Sequence, residues 1–183
     1  MTARQKKIRD KILVSRKGTG LSGPFGPWLA IPDIADPSQE LGRAVRYGTS
    51  LSYRESELVI LLTGAKTKSH SEFDIHVGEA LKAGLSMEII NAIPRDDEFS
   101  MASVESKVVP LLENEREVAI ARFAAELLDT YTISEGTYAK SKAALDGKDT
   151  VLVELVAIVG YYTYVSYTLN AFRIPSKPPP ETK

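Results

Sequence analysis

The chain has 183 residues, 43% apolar and 26% charged, which is enough for one buried core and short for two domains. Its 23 basic and 24 acidic residues nearly cancel, which argues against a nucleic-acid partner or a membrane-surface protein. There is no cysteine, so disulfides, thiolate metal sites and thiol redox chemistry are excluded.

No apolar leader opens the sequence, and the expected location is cytoplasmic. Strand-like alternation is almost absent and helical periodicity dominates, so the expected fold is all-α in a single domain, 1–183. Residues 3–14 predict a short helix in a basic N-terminal arm (1–15), expected to be solvated. The stretch "RKGTGLSGPFGPWLAIPDIADP" (16–37) is dense in Gly and Pro and reads as a long loop. It carries Phe25, Pro27, Trp28, Leu29 and Ile31, so it is expected to pack on the body.

Residues 38–48 predict a helix ending at Gly48. Ser52 to Glu55 has capping-box spacing and opens a helix over about 53–67. "SHSEFDIHVGEALKAGLS" (69–86) predicts a helix over about 70–83, stopped at Gly84. A shorter helix over 86–93 meets Pro94, which closes the first half (38–94). Residues 95–102 read as a polar loop. The second half (103–172) predicts helices over 103–112, from Asn114 to about Thr130, over 134–145, and over 149–171. The stretch 151–169 is apolar but broken by Glu154 and Gly160, and reads as a buried helix rather than a membrane span. A Pro-rich tail (173–183) follows.

"SELVILLTG" (56–64) echoes "VELVAIVG" (153–160), a weak internal repeat that makes Glu57 and Glu154 equivalent. Chance similarity between two buried helices explains it equally well. Exposed apolar faces on 53–67 and 151–169 favour assembly over a monomer.

The candidate chemistry lies in 69–86. Phe73, Val77, Ala80, Leu81 and Gly84 form an apolar stripe, with Asp74, Gly78 and Lys82 on the far side. His76 lies at its flank, one turn from Glu72, where partial desolvation and a carboxylate can bring its titration near neutrality. Glu57 heads an apolar run and needs a partner if ionised; in an antiparallel hairpin it could meet His76. The bland readings stay open: a satisfied core-edge histidine, a buried polar anchor, an ordinary i,i+4 pair. His70 and His76 are six apart, not at metal-ligand spacing, so no metal is expected.

These residues carry a resemblance. "LSYRESELVILLTGAKTKSHSEFDIHVGEALKAGLSMEIINAI" resembles the core of the carboxymuconolactone decarboxylase family, which includes alkylhydroperoxidase D-like proteins. The matching elements are Arg54/Glu57/Leu58, Glu72/Phe73/His76 and Ala80/Ala83/Gly84/Leu85/Ser86. Phe73 stands where the family often has tryptophan. "GPFGPWLAIPDIA" looks like the family's substrate-side loop. The resemblance implies an alkylhydroperoxidase D-like helical bundle, assembled as a homo-oligomer (trimer or hexamer). The peroxidase branch carries two cysteines before the histidine, where this chain has Ser69 and Glu72, so thiol peroxidase chemistry is chemically unavailable.

What remains resembles a cofactor-free decarboxylase acting on a small carboxylate or lactone, with no nucleic-acid or membrane partner. It implies His76 as proton donor and acceptor, oriented by Glu57 or Glu72. Arg46 or Arg54 is the candidate clamp for a substrate carboxylate. Phe25, Trp28 and Phe73 are candidate wall and lid. The alternatives are an isomerase, dehydratase or cyclase using the same machinery, or a non-catalytic oligomeric ligand carrier.

Overall fold

Ser52 and Glu55 close the capping box their spacing predicts, and the helix they open, α4 (Tyr53–Lys66), becomes the centre of the molecule. Every residue from Glu55 to Ala65 is buried. Leu58, Val59, Ile60, Leu61 and Leu62 are sealed from solvent; each such side chain contributes about 1.5–3 kcal/mol. The chain turns through Lys68, in the left-handed region at φ 53°, and returns as α5 (His70–Lys82). The two helices approach closely because Gly64 has no side chain: a Cβ there would stand 3.2 Å from the Phe73 amide nitrogen.

The computed structural model describes residues 1–16 and 21–176, and among these the fold is all-α with no strand. Before α4 come α1 (Ala3–Ser15), α2 (Phe25–Leu29) and α3 (Pro32–Tyr47). After α5 come α6 (Met87–Ala92), α7 (Met101–Lys107), α8 (Glu115–Thr130), α9 (Glu135–Ala144) and α10 (Asp149–Ala171). Helices α5, α8 and α10 pack around α4, and α3 packs against α10. The buried apolar residues form one continuous cluster. Gly84 (φ 93°) ends α5 as predicted, since only a residue tolerant of positive φ continues the chain there.

Several expectations fail for local reasons. The 16–37 segment is not a long loop: its described part holds α2 and the start of α3. Pro32 sits at the first turn of α3, where a missing N–H costs nothing, so this proline starts a helix. Residues 17–20 of that predicted loop lie outside the described residues. Phe25, Trp28 and Leu29 pack inward as expected, whereas Ile31 is exposed. The N-terminal arm is not simply solvated. A Thr2–Gln5 capping box starts α1, and Ile8 and Ile12 are buried in the core.

The predicted 95–102 loop contains a short 3₁₀ turn (Asp96–Glu98), and α7 begins at Met101. The predicted 103–112 helix breaks at Val108 into a second 3₁₀ turn at Pro110. On α5, Leu81 is exposed rather than part of the inner stripe. Among the described residues, helix α4 presents no free apolar face, because α5, α8 and α10 cover it. Helix α10 is long and apolar enough to cross a membrane by length and composition alone, and half of its most apolar window is buried in the bundle. Val153, Val156, Tyr164 and Tyr167 remain exposed on it. Residues 177–183 of the predicted tail lie outside the described residues.

Candidate active site

The α4–α5 hairpin places Glu57 beside His76, nineteen residues apart, with Glu57 Oε2 2.6 Å from His76 Nδ1. Glu72, one turn earlier on α5, reaches the other ring nitrogen: its Oε1 lies 3.2 Å from His76 Nε2. The sequence left open which carboxylate partners the histidine; both do. Helix α3 delivers Arg46, whose Nη1 lies 3.5 Å from His76 Nε2 and whose Nη2 lies 3.4 Å from Glu57 Oε1. Helix α10 delivers Tyr162, edge-on to the imidazole at 5.3 Å between ring centroids, with its hydroxyl accepting from Arg46 Nη1 at 3.3 Å. On the outer side, Arg46 Nη2 donates to the Tyr53 hydroxyl at 2.8 Å, and Tyr53 donates to Glu79 Oε2 at 2.6 Å.

Glu57, Glu72 and His76 are all buried. An isolated carboxylate at the Glu57 position would be very costly. Its Oε2 meets His76. Its Oε1 makes no hydrogen bond and is compensated by the Arg46 charge. Burial alone would lower the His76 pKa, but the Glu57 carboxylate, then that of Glu72, outweigh it and raise it to about 9. The imidazole is therefore cationic at neutral pH. Burial would also lower the pKa of Arg46, yet Tyr162, Glu57 and Tyr53 drive it further up. Burial pushes the Tyr161 hydroxyl up to about 12 and raises that of Tyr162.

A cavity of about 100 Å³ adjoins this cluster, with Arg16, Phe25, Arg46, Glu72, His76 and Tyr162 in its wall. Liquid water occupies about 30 Å³ per molecule, so the hollow suits a small ligand. Gly42 keeps it open: a Cβ there would collide with the Tyr161 hydroxyl and Arg16. A larger open depression of about 690 Å³ lies between α1 and α3, lined by Lys7, Lys11, Glu40 and Arg43 among others. It is the more voluminous of the two, but its lining holds no histidine and its Arg43–Glu40 pair is about half exposed, so chemistry rather than volume locates the site.

Of the eight candidate site residues, five meet here: His76, Glu57, Glu72, Arg46 and Phe25. Three do not. Arg54 faces α8, pairing with Glu117 at 2.7 Å and Glu113 at 2.9 Å and donating to the Gly84 carbonyl. Trp28 donates from Nε1 to Thr168 Oγ1 at 3.1 Å and stacks on Tyr164 at 4.7 Å, outside the cavity wall. Phe73 is buried against Gly64 and lies under the Arg95 guanidinium, 4.0 Å from its ring centroid. Glu154 does not repeat the role of Glu57: it accepts from the Ser50 amide and hydroxyl, away from the cavity.

Sequence reading missed Arg16, Tyr53, Glu79, Tyr161 and Tyr162. Tyr161 and Tyr162 lie on the tyrosine-rich last helix, where no local signal singles out the two that face the site, and nothing local linked Arg46 to Glu79, thirty-three residues away. No protein-family model, curated protein or solved structure matches this chain.

Proposed function

We propose that the chain is a cofactor-independent enzyme that decarboxylates a small unsaturated lactone or enolisable acid by proton transfer at His76. The observation that supports it most is a buried imidazole held between two carboxylates, 2.6 Å and 3.2 Å away, at the wall of a small cavity. Loss of carbon dioxide leaves a dienolate that must be protonated. An imidazolium at neutral pH is a ready proton donor, and positioned acids and bases commonly contribute about 10²–10⁴-fold. Arg46 adds a permanent positive charge beside the ring, suited to a substrate carboxylate or a developing oxyanion. The resemblance to the carboxymuconolactone decarboxylase family, carried by Glu57, Glu72 and His76, supports the same reading.

Isomerisation on this machinery is a second reading, favoured by one feature: Glu72 puts a carboxylate in the cavity wall, and an isomerase needs a base as well as an acid. In solution the protein is proposed to be a homo-oligomer, through the exposed Val153, Val156 and Tyr167 of α10. The test of function is a carbon-dioxide-release screen over small unsaturated lactone acids and β-keto acids. The expected result is release above the uncatalysed rate for at least one. Release from none, with folded protein, rejects decarboxylation.

A further inference from the structure

We propose that Glu72, rather than His76, removes the substrate proton when the site isomerises a double bond, and that in this reaction His76 stays an imidazolium and acts as the electrostatic and hydrogen-bonding partner of the enolate. The assignment rests on the isomerisation reading of the site and divides the roles within it.

The geometry separates the two carboxylates. Glu57 is sealed from solvent, absent from the cavity wall, and engaged by His76 Nδ1 and Arg46. It cannot touch a ligand. Glu72 is in the cavity wall, and His76 is its one ion-pair or hydrogen-bond partner among the described residues. Its remaining acceptor capacity is available to a bound molecule. The groups facing the imidazole are Glu57 from α4, Glu72 from its own helix, and Arg46 and Tyr162 from α3 and α10. A carboxylate only accepts hydrogen bonds, and at Nε2 the Glu72 oxygen at 3.2 Å stands closer than the Arg46 donor at 3.5 Å, so a ring with a carboxylate at each nitrogen is best satisfied with both nitrogens protonated. That ring has no lone pair with which to take a proton from carbon. Arg46 and the buried tyrosines are no better, which leaves Glu72.

The step balances as follows. The C–H bond beside the carbonyl breaks and its proton goes to Glu72. The electron pair enters the carbon–carbon double bond of the enolate, and the carbonyl pair moves to oxygen, whose charge the His76 imidazolium and Arg46 offset. Glu72 then returns the proton to the far carbon of the extended enolate, which moves the double bond into conjugation. No oxidant or reductant is needed. The ligand class is a small β,γ-unsaturated lactone or ketone with an acidic carbon.

The probe is α-angelica lactone in deuterium oxide, followed by proton NMR for exchange beside the carbonyl and for conversion to the conjugated isomer. In parallel, histidine ¹⁵N shifts of the full chain report the ring state. Wild type is expected to exchange and isomerise the probe. E72Q is expected to lose on the order of 10²-fold or more, and E72D is expected to recover part of the rate, while the wild-type His76 ring is doubly protonated at pH 7. An active wild type with E72Q within about twofold, or a neutral His76 ring in the wild type at pH 7, overturns the assignment alone. A wild type inert toward the probe overturns this assignment whatever the carbon-dioxide panel gives, and a wild type inert toward both overturns the enzymatic reading as well.

Discussion

Replacing His76 with Gln removes a buried cation that two carboxylates hold, and its effect on stability should depend on pH with a definite sign. The folded-state pKa is raised from 6.5 to about 9 by Glu57 and Glu72 against burial. A raised pKa means the folded state binds the proton more tightly than the unfolded chain does. That stability is fully present below the unfolded value near pH 6.5 and is lost as pH climbs through about 9. At about 1.4 kcal/mol per unit, the group contributes on the order of 3 kcal/mol at pH 6 and close to none above pH 10. The neighbours hold still across this window, because Arg46, Tyr53 and Tyr162 all have pKa values shifted upward. Urea unfolding of wild type and H76Q at pH 6, 8 and 10, as the difference between the two, isolates the group. The reasoning predicts a wild-type advantage that shrinks steadily with pH. A difference that stays flat, or that grows toward alkaline pH, refutes the picture of a cation clamped between Glu57 and Glu72.

Three further outcomes follow from particular contacts. Gly42→Ala forces the Tyr161 hydroxyl and Arg16 to move; we expect a cost of about 1–3 kcal/mol by thermal unfolding and a changed ligand preference, because overpacking here reshapes the cavity. Arg54→Ala leaves Glu117 buried without its charge partner. It should lower stability by about 1–3 kcal/mol while leaving kcat/KM unchanged, which enzyme assay and denaturation together check. Trp28→Phe loses the hydrogen bond to Thr168; it should cost about 1–2 kcal/mol and leave KM unchanged, since Trp28 does not reach the cavity.

How much of this could be read from the residues depends on the range of the signal. Helices α4 and α5 were legible because their boundary signals are local: the Ser52–Glu55 cap and the Gly84 stop. Periodicity put His76 one turn from Glu72, but the pairing of the two helices that brings Glu57 to His76 was only a possibility in the sequence, because it depends on packing between helices. Arg46 and Arg54 could not be separated that way. Each sits near a helix end, and only the packing of α3 and α8 sends one to His76 and the other to Glu117. Phe73 and Trp28 are aromatic residues near the right motifs, yet their rings serve Arg95 and Tyr164. The 16–37 segment misled because Gly and Pro density reads as loop, whereas a proline in the first turn promotes a helix.

The most direct measurement is turnover and melting temperature together for His76→Gln, on whichever lactone or β-keto acid the wild type converts. The account predicts that kcat/KM falls by about 10²-fold or more while the protein stays folded at the assay pH. Conversion at the wild-type rate by the folded variant would contradict it.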